Sequence, residues 1–132
     1  MSDLAYIDTS AFVKLFNAEP ESEAMAAAVD GDWPLIVASE ILAVEGFRTA
    51  VRLGGQAPAR AAQLLVRVAL YPLSPRVREG ACRIGTPQLR TLDAIHLATA
   101  ISLGEKVGAI FTYDKRLAQA GADAGLRVLA PA

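Results

Sequence analysis

Four acids in this chain stand where ordinary surface charge is a poor explanation. Asp8 directly follows the apolar run LAYI (4–7), and Asp114 directly follows FTY (111–113). Asp93 lies in TLDAIHLATA, a segment otherwise nearly free of charge, and Glu45 lies in SEILAVEGFRTA. At about 100° per residue Glu45 falls roughly 40° from Ile41, on the mainly apolar side of its helix. A carboxylate on a buried face is costly unless something compensates it, and converging carboxylates repel one another. Hard divalent cations relieve both problems. Mg²⁺ and Mn²⁺ take oxygen ligands, keep several waters and bridge to phosphate oxygens. Bound ions of this kind acidify a coordinated water and neutralise developing negative charge.

Each acid also has a plainer reading. Asp8 and Asp114 could cap the helices that follow them. Asp93 in a first helical turn is favoured by the helix dipole alone. Glu45 could pair with Arg48 at i,i+3, and such a solvated pair is worth little. Capping explains any one of these acids more easily than it explains four. His96, the only histidine, follows Asp93 by one turn. A general-base role is conceivable there, but a packed histidine on a buried helix is the preferred reading. Thr9, Ser39 and Thr91 are read as caps.

The elements that must position these acids alternate between short apolar runs and longer helical segments. Strands are expected at 4–7, 35–38, 109–112 and 126–129, with 70–73 as a brief strand or extended link. Helices are expected after Asp8 to about Phe16, from Pro20, and from a Ser39 cap to Gly54–Gly55. Further helices should run from Pro58 through Ala69, over 75–84, from Thr91 to Gly104, and over 114–120. Such alternation predicts a three-layer α/β fold, a central parallel sheet of about five strands with helices on both faces. Residues 1–132 are read as one domain. In such sheets chemistry collects at the carboxyl ends of the strands, where strand order reverses.

The single Cys82 excludes an internal disulfide and any thiolate metal site. Nothing near the start resembles a secretory signal, and no apolar run approaches membrane-span length, so a cytoplasmic location without membrane association is expected. The formal net charge of −1 conceals a division along the chain: residues 1–45 carry nine acids and one base, 46–92 eight Arg and one Glu. Near neutrality excludes nucleic-acid binding by bulk positive charge, but leaves room for a local basic rim. Arg48, Arg52 and Arg90 are the candidate rim, since phosphates beside an acidic cluster need positive partners.

The set YIDTSA, the helical Glu of VEGFRTA, TLDAIHLATA and FTYDKRLAQAG resembles the PIN-domain family over residues 4–129. Within that family it is similar to the small VapC-type ribonuclease toxins of bacterial toxin–antitoxin pairs. The resemblance implies a PIN-like fold in which the strands leading to Asp8 and Asp114 are neighbours. It places the acidic cluster on Asp8, Glu45, Asp93 and Asp114, as metal ligands and catalytic residues, with Ser10 and Thr112 as hydroxyls lining the site. Gly46 departs from the aliphatic residue usual after the helical Glu, and leaves Glu40 as the alternative to Glu45. Glu45 is preferred, because Glu40 sits one residue after a cap, where an acid is expected anyway. The implied activity is Mg²⁺- or Mn²⁺-dependent endoribonucleolytic hydrolysis of RNA. The implied partners are an RNA substrate, a small cognate antitoxin contacting the region from about Pro20 to Ala69, and a second copy of the chain in a homodimer.

Other readings are weaker. A phosphotransferase with an aspartyl nucleophile would want a second Asp two residues after Asp8, where Ser10 stands. A dinucleotide-binding domain would want a glycine-rich turn after the first strand. A non-catalytic PIN-like scaffold binding RNA or a partner would be expected to lack one or more of the acids.

Overall fold

In the computed structural model, which describes residues 3–132, the strand Leu4–Ile7 (β1) is buried along its whole length. Only a central strand covered on both faces accepts such a run without a polar residue. Leu35–Ser39 (β2) pairs with β1 on one side and Val107–Phe111 (β4) on the other. Val68–Tyr71 (β3) and the two-residue Val128–Leu129 (β5) form the edges. The order is β3-β2-β1-β4-β5, and every pairing is parallel. Strand order therefore reverses at β1/β4, with Ile7 opposite Phe111.

The pleat divides the core. Ala5 and Ile7 face a cluster with Phe12 and Phe16 of Thr9–Phe16 (α1), and Met25 and Val29 of Ser22–Asp32 (α2). Leu42 and Ala50 of Ile41–Leu53 (α3) and Ala61 of Ala57–Leu65 (α4) complete it. Leu4 and Tyr6 face the opposite layer, built on Ala100 of Thr91–Ser102 (α6). Pro75–Arg83 (α5) packs on α6, and Lys115–Asp123 (α7) packs on α6 and β5. The three-layer expectation holds, and no helix among the described residues is long and apolar enough to cross a membrane.

Several boundaries move. The helix expected through Ala69 ends at Leu65, because Val68–Tyr71 pairs with β2 as an edge strand; the apolar run 64–66 reads equally well either way. The helix expected from Pro20 begins at Ser22, with Pro20 and Glu21 in the preceding turn. Ser39 is the last residue of β2 and Glu40 holds the cap position of α3 without a side-chain bond, but the Ser39 hydroxyl still accepts from the Ile41 amide that opens the helix, at 3.3 Å. Thr91 is the first residue of α6, after Arg90 at the cap position.

Gly46 has a packing reason. A Cβ there would stand 2.6 Å from the Phe12 ring, which is itself buried, so only glycine lets α3 approach α1 this closely. Gly46→Ala is expected to destabilise despite a helix-propensity gain of about 1 kcal/mol. Overpacking a buried ring typically costs about 1–3 kcal/mol, so a modest net loss in chemical denaturation is the expected result. An increase in stability would show that Phe12 can move.

Candidate active site

Asp8 leaves β1 beside Thr112, which follows β4, and its amide donates to the Phe111 carbonyl at 3.2 Å. Its carboxylate is buried and fully engaged. Thr112 Oγ1 donates to Oδ2 at 2.5 Å, Ser10 Oγ reaches both oxygens at 2.7 and 2.9 Å, and the Ala11 amide donates to Oδ1 at 2.9 Å. That last bond is an N-cap, so Asp8 starts α1 while lining the site. Asp114 does the same for α7, accepting from the Leu117 amide at 2.9 Å. Both hydroxyls expected at the site, Ser10 and Thr112, hold Asp8.

Glu45 comes from α3 and Asp93 from the first turn of α6. Together Asp8, Glu45, Asp93 and Asp114 line one cleft of about 320 Å³, shared with Thr9, Ser10, His96 and Arg90. Glu40 is elsewhere: it is exposed, and its carboxylate accepts from the Leu73 amide. Of the two, Glu45 is the one that lines the cleft. It pairs not with Arg48 but with His96, whose Nε2 stands 2.9 Å from Oε1. Thr9 is no cap either, since its hydroxyl donates to the same Oε1 at 2.6 Å. Of the three rim arginines only Arg90 lines the cleft; Arg48 and Arg52 are exposed on α3, where Arg52 donates to Thr49.

The electrostatics divide the acids. Burial pushes the Asp8 carboxyl above its ordinary range, against the bonds from Thr112, Ala11 and Ser10. Asp93 is half-buried; desolvation first, then the charges of Asp114 and Asp8, push it up to about 6. Burial opposes the Glu45 charge too, but the bonds from His96 and Thr9 outweigh it and hold its carboxyl below the usual value. Among the described residues no Lys or Arg forms an ion pair with any of these four.

The donor set is all oxygen, anionic and short of positive charge, which is what a hard divalent cation requires. The side chains do not form a closed cage: among the described residues no group of three His, Cys, Asp or Glu stands ready to hold one ion. Asp8, Asp93 and Asp114, expected as ligands directly or through water, line this cleft together with Glu45, while hydroxyls also engage Asp8 and His96 engages Glu45. Mg²⁺ usually keeps several waters and uses one or two carboxylates, so the cleft fits a hydrated ion.

Sequence reasoning missed the link from the core to this cleft. Tyr6 Oη stands 2.8 Å from His96 Nδ1, and both side chains are buried. The available signal was a tyrosine inside a fully apolar central strand, since a buried phenol needs a partner.

The PIN domain model matches residues 5–123 of the chain. The chain belongs to the PIN domain family. Among curated members this PIN domain is 38% identical over 126 residues to Ribonuclease VapC46 of Mycobacterium tuberculosis, covering 96% of each chain. It is 35% identical over 131 residues to Ribonuclease VapC35 of the same species, covering 97% of each. Its fold matches that of M. tuberculosis VapC20, a sarcin-ricin loop cleaving toxin, with TM-score 0.76, 18% identity, and 96% and 99% of the two chains covered. A toxin–antitoxin complex from Klebsiella pneumoniae matches with TM-score 0.71, 22% identity, and 97% and 98% coverage.

Proposed function

We propose that the protein is a divalent-metal-dependent endoribonuclease and the toxin of a toxin–antitoxin pair. The observation that carries this is the convergence of Asp8, Glu45, Asp93 and Asp114, from four separate places in the chain, on one cleft at the carboxyl edge of the sheet. Full-length relatives named as VapC ribonucleases support the substrate class.

Asp8, Asp93 and Asp114 would hold Mg²⁺ or Mn²⁺ directly or through water, with Glu45 as a further ligand or as the group orienting the attacking water. A bound ion supplies acidification of water and neutralisation of charge on the phosphate and leaving oxygen. The chain's own residues do the rest. Ser10 and Thr112 fix the Asp8 carboxylate, His96 and Thr9 keep Glu45 ionised and aimed, and Arg90 offers a phosphate contact at the rim.

The test is cleavage of a mixed RNA pool by metal-stripped protein, before and after Mg²⁺ or Mn²⁺ is returned. Activity only with the ion is expected; cleavage unaffected by chelator would overturn the reading. Arg90→Glu should weaken RNA binding and lower the salt slope by about one, while reversal at Arg48 or Arg52 should change it less. Equal slopes for all three variants would remove Arg90 from the rim.

Two surfaces support the proposed partners. A groove of about 620 Å³ beside α1, α2 and α4, lined by Lys14, Leu15, Leu64, Arg60 and Arg67, falls in the region expected to contact an antitoxin. Val44, Phe47 and Val51 form an exposed apolar stripe at helical spacing on α3, suited to a homodimer contact.

A further inference from the structure

The Ser39 amide donates to Tyr6 Oη at 3.0 Å, which leaves the phenol one proton to give, and His96 Nδ1 is 2.8 Å away. The Glu45 carboxylate offers only lone pairs, so the hydrogen between it and His96 sits on Nε2. Thr9 donates to the same Oε1, and among the described residues no hydrogen bond reaches Oε2. Tyr6 and His96 are almost wholly buried and meet edge to face with ring centroids 5.8 Å apart. This chain of bonds joins β1, α3 and α6, the three elements that lead to or carry Asp8, Glu45 and Asp93.

We propose that Tyr6, His96 and Thr9 are positioning residues: they hold His96 as the Nε2–H tautomer and lock Glu45 through Oε1, so that Oε2 alone is presented to the cleft. Packing by itself would not need this polarity, since a leucine at position 96 would fill an apolar layer without placing a hydrogen-bond donor against Glu45. The kinetic consequence rests on the nuclease reading; the tautomer does not.

Because His96 is the only histidine, nitrogen-15 spectra of the metal-free full chain report one ring. Nε2 should be protonated and Nδ1 a hydrogen-bonded acceptor, and Tyr6→Phe should remove the Nδ1 bond and admit the second tautomer. Tyr6→Phe should lower kcat on RNA by about ten-fold. KM should stay within about two-fold. His96→Gln, whose amide still donates, should retain more activity than His96→Leu. A wild-type ring protonated on Nδ1 and bare on Nε2 would overturn the proposal, as would wild-type kcat in a folded His96→Leu. If His96→Leu does not fold, Tyr6→Phe and Thr9→Val decide by the same split. A wild-type protein that cleaves no RNA with either ion refutes the nuclease reading, and the spectrum then judges the chain of bonds alone.

Discussion

Asp8→Asn is expected to slow RNA cleavage by about 100-fold to 1000-fold while the protein still folds. The magnitude is that of deleting one preorganised charged group from a site where charge develops. Folding should survive because asparagine is as good an N-cap as aspartate, and the amide oxygen can still accept from the Ala11 amide. The Ser10 and Thr112 hydroxyls, which donate to the carboxylate at 2.5–2.9 Å, can rotate to accept from the new amide nitrogen. What is lost is the negative charge at the β1/β4 switch point. Initial rates at saturating Mn²⁺, with a circular-dichroism melt on the same sample, separate lost chemistry from lost fold. A folded variant within about ten-fold of wild type would place the catalysis elsewhere.

Asp8 also shows how the sequence and the structure relate. Read alone, a carboxylate after a strand is either a helix cap or a functional group; Asp8 and Asp114 each cap the helix that follows and also line the cleft. In a parallel α/β sheet the helix that follows a strand starts at the carboxyl edge, so its cap already faces the place where ligands bind. The strand–helix alternation behind the three layers was legible because it depends on local pattern, whereas the pairing of β1 with β4 beneath Asp8 and Asp114 joins distant parts of the chain and came from the resemblance to PIN domains. The boundary between α4 and β3 was not legible, because 64–71 is apolar enough for either and pairing with β2 decides it. Thr9 was misread for a similar reason: its hydroxyl could serve the local backbone, and only the arrival of Glu45, 36 residues away, gives it another acceptor. The Tyr6–His96 bond spans 90 residues, beyond any local periodicity. Gly46 stood out in the sequence only as a departure from the usual aliphatic residue, and its reason is the close approach of Phe12.

Asp93→Asn should do two opposite things: cut cleavage by about 100-fold, and make the metal-free protein more stable at neutral pH. The second effect follows from a folded-state value of about 6 against an ordinary 3.8, set by desolvation and by the charges of Asp114 and Asp8. The folded protein then binds this proton more tightly than the unfolded chain does. Ionised Asp93 therefore costs stability above pH 6, the cost fades as pH falls from 6 toward 3.8, and below that it is gone. Solvent screening of a half-buried group reduces the penalty to roughly 1 kcal/mol, or about 3–5 °C in Tm for a domain of this size. Asp93→Asn should show that gain at pH 7.5 and lose it near pH 4. Adding Mn²⁺ should raise the wild-type Tm at pH 7.5, since the ion binds only the folded state, and raise the variant's less. If Asp93→Asn melts below wild type at pH 7.5 without metal, the carboxylate is stabilised by its surroundings rather than strained by them. The case for cation binding in this cleft would then lose its electrostatic support.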